Sequence, residues 1–445
     1  MSSRRIAIVA IAGLCMIGGL LLLVWANHRQ PLPSAPMSVT HSPTPSALPA
    51  GYIALDAHRS LGPSHSYRNL TLIPVYDSQA KATDTYTTLD EGLQGKTVKV
   101  QESTDGGDVN TLYVTNTGSK PLYLMAGEVV LGGQQDRCMG KDRIIPPGKK
   151  RVPVSVYCVE HNRWVGRAEF DSSAKSVASA EIRLQAQEGA FEAERALAAR
   201  PVPNSVGGRS VAGGSEIVAG AMPASGGAAA LDNGIVEVTS NSPVAISSDE
   251  NVAKAQQQVW AKVAEKNAHM KTETGTGTYR NTLNMTAGDA QTAVPAYVKA
   301  LSGSLDNDPH LVGVIAAVNG KIIAVDIFSE PILFRKLFPK LLGAYAADAF
   351  ENSLDVNPKA SAVTLDQAKI FYLQATDGHA KAENKSEASS TLRLDSTEAT
   401  VYRLVPNAEP QAAHGAHVAG TTAAKPVDAG GEVEGKAIHE TVLHK

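Results

Sequence analysis

What the chain lacks narrows it first. It has no C-x-x-C pair and only three cysteines, Cys15, Cys138 and Cys158, which removes a paired-thiol redox centre or zinc clip. No G-x-S-x-G elbow offers an esterase nucleophile. "GTGT" at 275–278 has neither the Lys-Ser/Thr of a phosphate loop nor a strand before it. "HETVLH" at 439–444 is one residue too long for H-E-x-x-H, whose two histidines need i,i+4 spacing to share a helical face. No metal site is therefore expected, and His414, His417, His439 and His444 read as part of a solvated tail. A net charge of −3 over 445 residues is not the basic stripe of a nucleic-acid binder, so no nucleic-acid partner is expected. Beyond the N-terminus no apolar run approaches membrane length.

What is there begins with that N-terminus. Residues 6–26, "IAIVAIAGLCMIGGLLLLVWA", carry no charge. At about 1.5 Å per residue a helix of this length crosses the roughly 30 Å hydrocarbon core. Arg4 and Arg5 favour a cytoplasmic N-terminus. The expectation is a signal anchor, with membrane contact through Ile6 to Ala26 and a body in the bacterial periplasm on a single-pass inner-membrane helix. A cleaved signal peptide is the alternative, with Val24-Trp25-Ala26 as a loose cleavage site.

Composition divides the remainder. Residues 1–29 form the cytoplasmic stub and anchor, and 30–50, with six prolines, a semi-extended tether. A β-rich half covers 51–202. Gly, Ala and Ser dominate 203–248, which reads as a linker or insertion with a short strand at "GIVEVTS". An α+β half covers 249–405, and 406–445 reads as a disordered tail. The expected fold class is α+β, with an antiparallel β-sandwich-like N-terminal half and an α/β C-terminal half behind the transmembrane helix.

In the first half, "NLTLIPVY", "KTVKVQES", "NTLYVTN" and "KPLYLMAGEVVL" are short β-branched or aromatic runs between turn residues. "TNTGSKP" reads as a hairpin loop, and "DRIIPPGKKRVPVSVYCVE" as a hairpin turning at "PPGK". Centred on Gly148, that hairpin opposes residues whose numbers sum to 296, so Cys138 faces Cys158 at disulfide range. Two buried free thiols, or a register shifted by one, are the alternatives.

In the second half a Ser247-x-x-Glu250 capping box opens a helix with a stripe of Val252, Gln256, Val259, Trp260 and Val263. Asn319-Gly320 supplies a type I′ turn between "HLVGVIAAV" and "KIIAVDIF". Ser329 caps "EPILFRKLFPKLLGAYAADAFEN", expected as two helical pieces broken near Pro339. "TLDQAKIFYLQA" reads as a helix and "STLRLDSTEATVYRLV" as a hairpin.

The stretch richest in chemistry is "GEVVLGGQQDRCMG" at 127–140. Gly132 and Gly133 can bring backbone close to a ligand, and Gln134 and Gln135 offer donors and acceptors. Arg137 presents a planar fork for phosphate or carboxylate, with Asp136 or Glu128 to orient it or act as a base. "CVEHNRW" adds Glu160, His161, Arg163 and Trp164 at the same sheet edge. Together they form a candidate pocket for a small anionic ligand. The competing reading makes Asp136 or Glu160 a structural partner of Arg137 or Arg163, with Trp164 in the core. Asp326 reads as a neighbour of a helix cap.

"LDEGL" at 89–93, "GEVVLGGQQDR", "PVSVYCVEHNRW", "VWAKV" at 259–263 and "GKIIAVDIFSEPILFRKLFPKLLGAYAADAF", in this order, resemble a bacterial family. It is the ADP-ribosylglycohydrolase- and rhodanese-phosphatase-associated protein domain. The resemblance covers about 65–405 and implies a place in pathways handling ADP-ribose or other NAD-derived phosphorylated metabolites. It assigns no catalytic residue and no cofactor. Two functions stay open: a membrane-anchored extracytoplasmic binding or scaffold protein with an envelope partner, or an enzyme or binder acting on such metabolites.

Overall fold

The computed structural model describes residues 48–103, 109–163, 166, 168–198, 249–284, 290–305, 308–353, 362–377, 382–407 and 436–445. Short strands β1 (Ile53–Ala54), β2 (Arg59–Leu61) and β3 (His65–Tyr67) lead into β4 (Leu70–Asp77). Strand β5 (Thr87–Thr88) and helix α1 (Leu89–Gln94) precede β6 (Val98–Gln101), β7 (Thr111–Asn116), β8 (Leu122–Leu124) and β9 (Glu128–Gly132). Next come β10 (Arg137–Met139), β11 (Arg143–Ile145), β12 (Val152–Cys158) and β13 (Glu169–Val177). Helices α2 (Ala180–Ala198), α3 (Glu250–Met270), α4 (Arg280–Asn284) and α5 (Ala290–Leu301) follow. The chain continues with β14 (Leu311–Val318), β15 (Lys321–Phe328), α6 (Pro331–Ser353) and α7 (Leu365–Thr376). It ends with β16 (Ala382–Lys385), β17 (Ser389–Asp395), β18 (Ala399–Pro406) and β19 (His439–His444).

The fold is mixed α+β with mostly antiparallel pairing. One large sheet runs β1-β2-β4-β14-β15-β19-β18-β17-β16, with β3 also on β4. A small closed barrel runs β10-β12-β7-β6-β13-β9, and β11-β8-β5 form a third sheet. The expected sandwich is corrected accordingly. Strands β1 to β4 join the large sheet, where β4 pairs with β14, six others close into the barrel, and β5, β8 and β11 form the third sheet. Both expected N-terminal hairpins dissolve for the same reason. β7 pairs with β6 and β12 while β8 pairs with β11 and β5, and β11 and β12 lie in different sheets. Partner choice is tertiary, and nearness along the chain does not decide it here.

Local signals held where they were strong. Asn319 and Gly320 both take positive φ, and Val318 pairs with Lys321 across the turn. Thr364 and Gln367 form a reciprocal capping box at the start of α7. Helix α3 starts two residues later than its Ser247 signal, on Asp249, and buries Val252, Gln256, Val259 and Val263. Pro339 does not break α6, which runs from Pro331 to Ser353 without interruption. An interior proline costs about 3 kcal/mol in an exposed helix. Here α6 is wrapped by α5, β13 and β14, burying Leu333, Phe334, Leu337, Leu341 and Tyr345, and that burial exceeds the cost.

The tail expectation fails at its end. His439–His444 is β19, seated between β15 and β18 in the large sheet. The 203–248 segment, "GIVEVTS" and Trp164 lie outside the described residues. The single-pass inner-membrane localisation with a periplasmic body is corrected. Among the described residues no helix is long and apolar enough to cross a membrane, and residues 6–26 lie outside them. The predicted transmembrane helix therefore has no support.

Candidate functional site

The stretch richest in chemistry folds as a suture. Asp136 is fully buried and takes both Arg280 contacts, Nη2 to Oδ1 at 2.6 Å and Nε to Oδ2 at 3.0 Å. Arg163 adds Nη2 to Asp136 Oδ1 at 3.3 Å and Nε to Glu160 at 2.8 Å, and donates to the carbonyls of Gly132 and Gly133. Arg137 is buried as well. Its three guanidinium nitrogens reach the Val109 carbonyl, Gln135 Oε1 and Glu102 Oε1 at 3.2–3.3 Å. Gln134 donates its backbone N–H to the same Glu102 oxygen. Gly132 and Gly133 have positive φ, and a Cβ on Gly133 would lie 2.2 Å from the Phe170 ring. The close approach these glycines permit is to Phe170. The arginine forks that would grip an anion are occupied by carboxylates and carbonyls of the protein.

Cys138 and Cys158 are buried free thiols. Cys138 pairs with Tyr157, and Arg137 with Cys158, so opposed numbers sum one lower than the turn-centred register required. In a pleated pair a one-residue slip turns the two side chains to opposite faces, and the expected disulfide does not form. Burial pushes the Cys138 thiol up to about 12, the reverse of an activated nucleophile.

A second charged group lies where the large sheet meets the barrel side. Asp326, on β15, accepts from Arg183 of α2 through both oxygens, at 2.6 and 3.1 Å. It also accepts from Thr441 at 3.0 Å and from the Tyr345 hydroxyl. His439 lies between two carboxylates, 2.5 Å from Asp142 and 3.1 Å from Asp326, with its ring stacked on Phe328. Burial alone would lower the imidazole pKa; the two carboxylates outweigh it and raise it to about 9. His439 is thus an imidazolium donating on both sides at neutral pH. Burial would raise the Asp326 pKa, but Arg183 and His439 hold it well below the usual carboxylate range. Glu128 caps the same region, accepting from Lys340 of α6 at 2.7 Å and from the Met125 N–H. Lys340 then reaches Asp90 of α1 at 2.8 Å. Gly127 has φ +87, and a Cβ there would lie 2.5 Å from Arg183 Cγ, so only glycine lets Arg183 through.

The third group is open. Leu392, Arg403, Glu440 and Ile327 form one cross-strand row over β17, β18, β19 and β15. That row belongs to the sheet face covered by α7, whose Tyr372 hydroxyl donates to Glu440 Oε1. Arg403 Nε donates to the other Glu440 oxygen. Arg59 stacks on Tyr372, donates to its hydroxyl at 2.7 Å and pairs with Asp56 at 2.5 Å. Burial would raise the Glu440 pKa, but Arg403 and Arg59 outweigh it and keep the carboxylate ionised. Above this floor lies a cleft of about 560 Å³, bordered also by His58, Asp77, Gln79, Val405 and Lys436. Lys436 is half exposed and pairs with Asp77 at 2.5 Å.

None of the residues that build this cleft stood out in the sequence. The usable signals were small: a lone acid, Asp326, inside the apolar run "KIIAVDIF", and alternation in "HETVLH", whose β-branched centre suits a strand. Alternation sends His439 and Thr441 to one face and Glu440 to the other.

Three of the five stretches that carried the family resemblance converge on the second group. "LDEGL" contributes Asp90, "GEVVL" Glu128, and "VDIFSEPILFRKLFPKLLGAY" Asp326, Lys340 and Tyr345. The model of the ARG and Rhodanese-Phosphatase-superfamily-associated Protein domain matches residues 58–200 and 236–418. The chain belongs to this family. Membership links it to ADP-ribosylglycohydrolase and rhodanese-phosphatase proteins, a biochemical setting and not a reaction. The match takes in Arg59, Asp326, Tyr372 and Arg403 and stops before β19. No curated protein and no solved structure matches the chain.

Proposed function

We propose that the chain is a binding protein for a small phosphorylated metabolite, serving the ADP-ribose and phosphatase chemistry with which its family is associated, and that the cleft over β17, β18, β19 and β15 is its site. One observation carries this reading. In the cleft, basic groups border open volume, whereas the Arg137 and Arg163 forks are spent on the protein itself. Among the described residues Arg403 engages Glu440 through Nε, which leaves the amino groups of its fork for an anion. Lys436 has two N–H bonds beyond its contact with Asp77, and the exposed His58 ring borders the same space. The volume falls in the usual range for small-molecule sites, about 300–1,000 Å³.

Binding is favoured over acid–base catalysis because the cleft carboxylates are tied to cations. Glu440 and Asp56 are both held below their ordinary range, by Arg403 and Arg59 and by backbone N–H groups and Arg59 respectively, despite burial. Such groups are weak bases and poor proton donors near neutrality. The test is thermal unfolding of the full chain with and without ADP-ribose and inorganic pyrophosphate. A midpoint raised by ligand, and no longer raised in the His58→Ala/Lys436→Gln double variant, is the expected result. Flat curves for the unsubstituted chain sink the proposal.

A further inference from the structure

The make-up of the cleft also says what its ligand must carry besides negative charge; this step rests on the cleft being the binding site. Three cationic side chains, Arg59, Arg403 and Lys436, face three carboxylates, Asp56, Asp77 and Glu440. The lining is therefore close to neutral. A bare anion gains from Arg403 and Lys436 but meets the field of Asp77 and Glu440 immediately behind them. Tight binding needs a ligand that supplies donors as well as charge.

The acceptors for such donors are in place. Asp56 is one-third exposed at the rim, and its carboxylate has lone pairs beyond those used by Arg59 and two backbone N–H groups. Gln79 is exposed beside it. Ile327, Leu392 and Val405 add apolar surface to the lining. Stacking surface is scarce: His58 presents an exposed imidazole at the rim. Among the described residues Phe328 is the only Phe, Tyr or Trp bordering the cleft, and its ring is buried on the opposite face of the sheet against His439. Bases are ordinarily held by such a platform.

We infer that the cleft takes a phosphorylated polyol, a sugar phosphate, by its phosphate and hydroxyls and offers a nucleobase no Phe, Tyr or Trp to stack on. The phosphate lies on the Arg403 amino groups and Lys436, the hydroxyls donate to Asp56 and Gln79, and the carbon face of the sugar rests on Ile327.

Calorimetric titration of the full chain with ribose 5-phosphate, inorganic phosphate and AMP tests this. Ribose 5-phosphate should bind at least about ten-fold tighter than phosphate, the worth of one or two added hydrogen bonds to charged groups, and AMP no tighter than ribose 5-phosphate. Asp56→Asn should weaken ribose 5-phosphate by about ten-fold while leaving phosphate unchanged, and Lys436→Gln should weaken both. Phosphate binding as well as ribose 5-phosphate, or AMP binding ten-fold or more tighter, overturns the sugar-phosphate assignment while the cleft stays a site, provided Lys436→Gln still weakens binding. No binding by any of the three, or binding indifferent to both substitutions, overturns the assignment and the binding role of the cleft together.

Discussion

Strand β19 separates two charged groups of similar composition and opposite character. On one face His439 and Thr441 join Asp326, Asp142, Arg183 and Tyr345, all buried. On the other, Glu440 joins Arg403, Arg59 and Tyr372 beneath an open cleft. Both pair guanidinium with carboxylate and finish with a tyrosine hydroxyl. In the first, each cation is matched by a buried carboxylate and Arg183 Nε alone of their nitrogens is without a partner among the described residues, so the group's chemistry goes into joining α2, β15, β19 and the loop carrying Asp142. In the second, matching stops at the surface, where Arg403 and Lys436 border open volume. Residue types alone do not separate a structural group from a binding one; what separates them is whether the donors are already used.

The largest break in this comparison should come from Arg183→Met. It leaves Asp326 buried without its bidentate partner and should cost about 3–5 kcal/mol in denaturant unfolding. A loss below about 1 kcal/mol would mean that His439, Thr441 and Tyr345 satisfy Asp326 by themselves.

Next in size is the pH response of His439. Its folded pKa is raised from 6.5 to about 9, so the protonated form is favoured by the fold. The stabilisation is complete below pH 6.5 and is lost as pH rises through about 9, by at most about 3 kcal/mol. Asp326 works in the opposite sense, its contribution present above the ordinary carboxylate range and lost as pH falls below it. Unfolding followed from pH 6 to pH 10 should show the alkaline loss, and His439→Phe should flatten it. An unchanged slope in that variant would assign the alkaline response to another group.

How much of this was legible in the sequence depends on the range of the physics involved. The Asn319-Gly320 turn, the helix in "TLDQAKIFYLQA" and the strand at Leu70–Asp77 are set within a few residues, and all three were read correctly. Barrel closure joins β13 to β6 and β9, and the large sheet joins β4 to β14. No local pattern encodes such partners, because the alternation that marks a strand is silent about its neighbour. Cys138 and Cys158 show how fine the margin is: a register one residue from the expected one turned a disulfide into two separated thiols. The six residues of β19 were hidden by the Ala-, Gly-, Pro- and His-rich composition around them. With β19 went His439 and Glu440, and so both charged groups. Two readings were open for the motif residues, and the contacts of Arg137, Asp136 and Arg163 match the structural one, holding the barrel edge together.

That reassignment gives the third test. Arg137→Ala strands Glu102, whose carboxyl burial already pushes above its ordinary pKa, and should cost about 2–3 kcal/mol. It should leave ligand affinity in the cleft unchanged, and a lost affinity with an intact fold would return the binding role to the 127–140 stretch. Lys436→Gln is the smallest change and the sharpest complement. Its side chain is half exposed and its ion pair with Asp77 is at the surface, so stability should move by no more than about 0.5 kcal/mol. Ligand affinity should nonetheless fall about ten-fold, since a phosphate would lose a charged donor it meets directly. Arg137→Ala and Lys436→Gln then form a crossed pair, one moving stability without affinity and the other affinity without stability. Side chains already saturated by the protein give the first result, and side chains with donors to spare give the second.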